Sequence, residues 1–453
     1  MNRFEKILLT IFFVELFVGG GGRLIDFGVL SIRQVLFLLL FLTFIVRIVK
    51  EKAVFDKNIN TFIRVNPVTI GIYALLIWFV VSAAIGFVNG HPLSIIVMDF
   101  FRVSFFVVYF PLAYYISNER FTLNRIITLL KYSAFVVALF TIIVALLGKT
   151  VFVDNFNPFY RFMNTIMNDD LYFRPSNSVF YKSHFFVLIG LILSLNDILN
   201  KNFRKFDVML TIFASVSIIW SETRGFLLAF MLSLLMIIII DIKVIVDPIK
   251  GLQSKMKKLL QSQKFIKKFA ITILVLAAVP FLYKNMTLER FEVPSTEEHQ
   301  VSKHDKGHVS PKEKQPEVND VSVNARMEFL VASKEILVHP MNLIFGLGYG
   351  SEVAGRTDGL EMSFLDILLE QGLIGLAIWC FLFLMVYVNY YLSFRQGKKI
   401  TTLDISLMAV FMGILLLTNI NPFINNPIGI SFFLVLLIVS QQKRELRLNG
   451  EFK

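Results

Sequence analysis

The stretch SETRG, Ser221 to Gly225, sets a carboxylate (Glu222) and a guanidinium (Arg224) between two runs apolar enough to lie in lipid. Similar charges stand elsewhere in or beside apolar segments. They are Arg102 in DFFRVSFF, Arg174 in YFRPSNSVFYKSHFF with Lys182 and His184 just after it, and Arg326 in VNARMEFLVASKEIL. A charge in or near hydrocarbon is costly, so such side chains generally face a cavity, a partner or a polar substrate. Arginines dominate this set, and their planar forks of donors match phosphate oxygens two at a time. A metal would want carboxylates or histidines. The chemistry these residue types support is the holding of a phosphate or pyrophosphate group by Arg174, Lys182, Arg224 and Arg326, with no metal or other cofactor.

Each residue also has a plainer reading. Asp99 lies one helical turn before Arg102, and pairing accounts for that arginine as well as a ligand does. His184, on an apolar stretch, reads as a hydrogen-bonded interior histidine. Lys182 fits snorkelling to the interface equally well. Arg224 differs, because two spans meet there with almost no loop, and the small residues Ser221, Thr223 and Gly225 leave room around it. Glu222 either orients Arg224 by pairing or faces solvent, and the sequence leaves both open. Cys380 can form no internal disulfide in a chain with one cysteine and reads as a small span residue.

The elements that must position these side chains follow from composition. Of 453 residues, 56% are hydrophobic and 17% charged, and the mean hydropathy is +0.68, too apolar for a soluble globule. Apolar runs of roughly 18 to 25 residues recur along the chain, the length a helix needs to cross about 30 Å of hydrocarbon. Twelve candidate spans centre near Phe13, Leu39, Ile77, Phe106, Val137, Ile189, Phe213, Leu232, Leu274, Trp379, Met412 and Leu434. The first is followed by GGGGRLIDFG, without a small-residue cleavage pattern, and is expected to be retained.

Alternate loops are basic: Arg47 to Arg64, Arg120 to Lys131, Lys201 to Lys205, Lys243 to Lys268, Arg395 to Lys399, and the tail with Lys443, Arg444 and Arg447. Positive charge is retained on the cytoplasmic side, so both termini are expected there and SETRG on the outer face. The net charge of +12 is then explained by anionic lipid, with no nucleic acid involved. Two long segments fall on the outer side, Gly148 to Asn177 and Lys284 to about Gly359. The second contains His299, His304 and His308 in a charged, proline-dotted stretch with no fixed ligand geometry. The expected organisation is nine spans over 1–283, a large external loop over 284–361, and three spans with a cytoplasmic tail over 362–453.

Two motifs carry a resemblance. SETRGFLLAFMLSLL resembles the S-x-[ST]-R-[GA] segment of the O-antigen ligase and polymerase superfamily. ARMEFLVASKEILVHPMNLIFGLGYGS, Ala325 to Ser351, and EMSFLDILLEQGLIGL, Glu361 to Leu376, resemble that family's signature at the end of its large external loop and the opening of the next helix. The resemblance implies an all-α polytopic membrane fold with about twelve helices and GT-C-like glycosyltransferase architecture. It implies a metal-independent, inverting transferase of the Wzy-type polysaccharide polymerases, acting at the outer face of a bacterial plasma membrane. The donor would be an undecaprenyl-pyrophosphate-linked oligosaccharide, and a chain-length regulator and a flippase would be partners.

By motif position Arg224 and Arg326 would hold the pyrophosphate. Many family members carry His-Asn where this chain has Glu361 and Met362, so the family's histidine base is replaced here by a carboxylate able to take a proton from the acceptor hydroxyl. The same residue is equally explained as a carboxylate favoured at a helix start. A ligase with a different acceptor is the first alternative; a polysaccharide flippase is the alternative from another class, though no internal repeat supports it. Gly346, Gly348 and Gly350, in GLGYG, follow no strand and are expected to form a tight turn packing the loop over the cavity rather than a nucleotide loop.

Overall fold

A computed structural model of the chain describes residues 1–22, 30–52, 65–116, 120–174, 176–200, 203–241, 266–275, 277, 321–356 and 360–445. Several helices open at a side chain that satisfies the free amides of a first turn. Asn2 with Glu5 caps α1 (Arg3–Val18), Ser31 with Gln34 caps α2 (Ile32–Glu51), and Asn66 with Thr69 caps α3 (Pro67–Val88), whose proline stands at the start where a missing N–H costs nothing. The chain continues through α4 (Leu93–Ser104), a 3-10 turn (Phe105–Val108), α5 (Tyr109–Tyr115), α6 (Leu123–Lys149) and α7 (Phe156–Ile166). After a hairpin come α8 (His184–Leu199), α9 (Lys205–Trp220) and α10 (Arg224–Asp241). The last third contains α11 (Val321–Leu337), α12 (Pro340–Phe345), α13 (Ser363–Arg395), α14 (Thr402–Leu417) and α15 (Pro427–Glu445).

Every expected span centre falls in a helix, the one at Leu274 within the helical stretch 266–275. Among the described residues five helical segments are long and apolar enough to cross a membrane: α2, α3, Leu93–Tyr115, α6 and α13. α8, α10 and α14 are apolar but shorter. The chain is thus a helical, multi-pass membrane protein. One small sheet accompanies the helices: in the segment before α8, β1 (Leu171–Phe173) pairs antiparallel with β2 (Val179–Tyr181), Tyr172 opposite Phe180. The basic 250s segment, His299, His304, His308 and most of the large loop lie outside the described residues.

Ion pairs tie helices together at the ends where basic residues gather. Lys131 of α6 reaches Asp197 of α8 and Asp207 of α9, both at 2.7 Å, Arg47 of α2 reaches Glu5 of α1 at 3.4 Å, and Lys443 of α15 meets Asp404 of α14. At the opposite ends lie SETRG and the hairpin.

Small residues bring α10 and α14 close. A Cβ on Gly413 would stand 2.2 Å from the Ser233 hydroxyl and 2.6 Å from the Ala229 carbonyl, while Gly225 sits against Leu417, Ile420 and Asn421. The helices therefore run antiparallel, with Ala229 opposite Gly413 and Gly225 opposite Leu417, the close approach that small residues permit where lipid supplies no hydrophobic drive.

The end of the large loop is built into the bundle. α13 breaks at Gly372 (φ 66°, ψ −173°), which frees carbonyls one turn earlier. Leu347 N–H donates to the Leu369 carbonyl (2.7 Å) and Gly348 N–H to that of Glu370 (3.1 Å), while Tyr349 N–H donates to Ser82 of α3 (3.2 Å). Gly348 has φ 81°, and a Cβ there would lie 2.1 Å from the Gly86 nitrogen, so only glycine fits this contact. The GLGYG segment is the expected tight turn, and it wedges between α3 and α13.

Candidate functional site

The N-terminal end of α10 and the C-terminal end of α14 meet at the turn over residues 418–421, and the two motifs converge on it. From α10, Gly225 packs on Ile420 and Asn421, which places half-buried Arg224 beside that turn. From α11, one Arg326 Nη donates to the Ile420 carbonyl at 3.2 Å and lies 3.4 Å from the Glu361 carboxylate. From α13, Ser363 N–H donates to the Thr418 carbonyl (3.0 Å), and the Ser363 and Thr418 hydroxyls are 2.9 Å apart. Residues 225, 326 and 363, far apart in sequence, thus meet one short piece of main chain.

A small satellite core holds α11 in place. Phe329, one turn after Arg326, is buried with Val353, Leu360 and Leu369, flanked by Ile336, Leu337 and Met362. Burying one phenylalanine contributes about 1.5–3 kcal/mol, so a single side chain anchors the helix that carries Arg326. Among the described residues the Arg326 Nε has no hydrogen-bond partner, nor has the buried Asn421 Oδ1 beside Gly225. Glu361, at 44% side-chain exposure, is the most open member of the group.

The hairpin supplies Arg174. Its Nη donates to Thr223 Oγ1 (3.3 Å), its Nε lies 3.5 Å from the Ser221 carbonyl, and its guanidinium stands 5.6 Å from the Phe180 ring centre. Ser176, two residues on, donates its hydroxyl to Glu222, and Lys149 holds the Ser176 carbonyl at 2.6 Å. Glu222 itself is left-handed (φ 49°), which is how the chain turns from α9 into α10 without a loop. So Arg174, Arg224, Arg326 and Glu361 gather at one end of the bundle.

Lys182 is engaged differently. It donates to Asp170 at 2.7 Å, and the same carboxylate accepts the Gly21 amide at 2.5 Å, tying the hairpin to the Gly20–Gly22 turn after α1. Burial lowers the Lys182 pKa, but the charge and hydrogen bond of Asp170 outweigh it, and the net shift is upward. His184 is the interior histidine expected: Nδ1 lies 2.9 Å from the Tyr181 main chain and Nε2 3.0 Å from the Ser217 hydroxyl, inside an aromatic cage of Phe180 and Phe226.

Arg102 does pair with Asp99 (3.4 Å), but its shortest contact is Glu370 at 2.7 Å, and Asp366 lies at 3.4 Å. The sequence reading missed these two acids. Their signal was present, since Asp366 and Glu370 stand four residues apart, on one face of a helix otherwise apolar. Asp366 extends the network toward the site: it accepts the Asn425 amide (2.6 Å) and the Leu360 N–H (3.0 Å), and Asn425 meets the Ser363 hydroxyl (2.9 Å). Among the described residues no three His, Cys, Asp or Glu side chains are grouped to hold a metal ion.

The gathered side chains can do two things. Guanidiniums from three elements offer fixed positive charge to a polyanion, and a partly exposed carboxylate beside them can accept a proton. No protein-family model matches the chain. It is similar to the O-antigen polymerase of Shigella flexneri, with 26% identity over 445 residues, covering 95% of this chain and 93% of that protein. That similarity spans nearly the whole chain.

Proposed function

We propose that the chain is a polysaccharide polymerase of a bacterial plasma membrane, transferring a glycan from undecaprenyl pyrophosphate to the non-reducing end of a lipid-linked repeat unit. The observation that carries the reading is the meeting of the two motifs at residues 418–421, where Gly225 packs on Ile420 and Arg326 donates to its carbonyl. Arginines brought to one end of a bundle from separate elements suit a pyrophosphate held without a metal. The similarity to an O-antigen polymerase agrees with this chemistry.

In this reading Arg224 and Arg326 are the pyrophosphate clamp and Arg174 reinforces it from the hairpin. Lys182, held by Asp170, contributes positive charge at greater remove. The acceptor hydroxyl oxygen attacks the anomeric carbon as the bond to the pyrophosphate oxygen breaks, which inverts the configuration. Negative charge grows on the leaving group, and arginines already fixed in place stabilise it without reorganising. Glu361 pairs with Arg326 at 3.4 Å. A pyrophosphate competing for that guanidinium releases the carboxylate, which then takes the hydroxyl proton. The site faces outward and both termini face the cytoplasm.

Purified protein and synthetic lipid-linked repeat units test this directly. Arg224→Ala and Arg326→Ala are expected to lose roughly 100-fold or more in kcat/KM, the scale of removing one fixed charge donor. Glu361→Gln should lower kcat while donor binding persists. Full activity in Arg224→Ala would overturn the site. In cells lacking the protein, single repeat units should accumulate on the outer face; accumulation on the inner face would identify a flippase instead.

A further inference from the structure

Glu222 has no task in the reaction as described, yet it is held more deliberately than its neighbours. Its φ of 49° lies in a region that glycine or asparagine enters most easily, and which a glutamate occupies only where its surroundings enforce it. The hairpin turn supplies that enforcement. Arg174 grips the residues on either side, at Ser221 and Thr223, and Ser176 hydrogen-bonds to the carboxylate. A hydroxyl has one proton, so with the Ser176 proton on Glu222, Ser178 supplies the proton in their 2.8 Å contact.

The chemical nature of that contact is informative. Ser176 presents an aliphatic alcohol to a carboxylate, the same pairing that a sugar hydroxyl would make. Both residues are half-buried, so a ligand can reach them from outside, and Arg224 stands two positions beyond Glu222. We propose that Glu222 is the acceptor-binding carboxylate, taking hydroxyls of the incoming sugar in competition with the Ser176 hydroxyl. The assignment rests on the polymerase reading, which supplies an acceptor sugar. It divides the site into an acceptor side at Glu222 and Ser176 and a donor side at Arg224 and Arg326.

The test is steady-state elongation by the full-length protein in nanodiscs, with lipid-linked repeat unit varied as acceptor at saturating donor, and donor affinity measured separately. Glu222→Gln should raise the acceptor KM about 10- to 100-fold, the scale of one charge-assisted hydrogen bond, and leave donor affinity within twofold. Ser176→Ala should lower the acceptor KM, because it removes the competing hydroxyl. An unchanged acceptor KM in Glu222→Gln, or a parallel loss of donor affinity, overturns the assignment and makes Glu222 a support for the arginines. A raised acceptor KM in Ser176→Ala also overturns it, and that variant decides alone should Glu222→Gln fail to fold. Wild-type protein that elongates nothing overturns the polymerase reading itself.

Discussion

Arg102 is surrounded by Asp99, Asp366 and Glu370, so one guanidinium faces three carboxyl groups inside the bundle. Removing one partner of a buried pair exposes the remainder to an uncompensated interior, which typically costs 3–5 kcal/mol. Arg102→Ala should therefore lower thermal stability in detergent sharply or abolish recovery of folded protein. Glu370→Gln keeps the side chain's shape and an oxygen that accepts from Arg102; it should cost less than Arg102→Ala, read as a smaller drop in melting temperature. Opposite results would mean that Glu370, and not Arg102, is the group the cluster is built around. At this scale the sequence was legible where polarity broke an apolar run, as at SETRG, and where partners were local, as with Asp99. Glu370 is 268 residues from Arg102, and no local pattern announces such a pairing.

At the scale of elements, the site depends on how closely two helices approach. Gly413 admits no Cβ without displacing the Ser233 hydroxyl and the Ala229 main chain. Gly413→Val should push α10 from α14, cost about 1–3 kcal/mol, and draw Arg224 away from the 418–421 turn. The expected result is lost transfer activity in a protein that still inserts and purifies; retained activity would show that the helix spacing does not set the site. Helix positions were legible because apolar runs of membrane length have few other uses. The hairpin was not: two three-residue strands between a short helix and a span leave too little alternation to read, and Pro, Ser and Asn there signal a turn without its destination. The break at Gly372 was hidden likewise, since its cause is the loop main chain that hydrogen-bonds into the gap.

For the whole molecule, the charge bias predicted which helix ends share a side, and Lys131, Arg47 and Lys443 engage acids at the ends opposite SETRG. Sidedness itself is tested by replacing the free, exposed Cys380 with serine and adding single cysteines at exposed Glu352 and exposed Lys205. A membrane-impermeant maleimide applied to intact spheroplasts should label Glu352→Cys and reach Lys205→Cys only after permeabilisation. The reverse pattern would turn the molecule over. The gathering of the arginines at one end of the bundle has a kinetic meaning under the proposed function. Donor and acceptor are both tethered to lipid in a single leaflet, so they meet by sliding sideways into the enzyme rather than by diffusing through solution. Turnover then follows their number per unit area of membrane. Chain length becomes a contest between the arrival of fresh units and the lateral escape of the growing polymer.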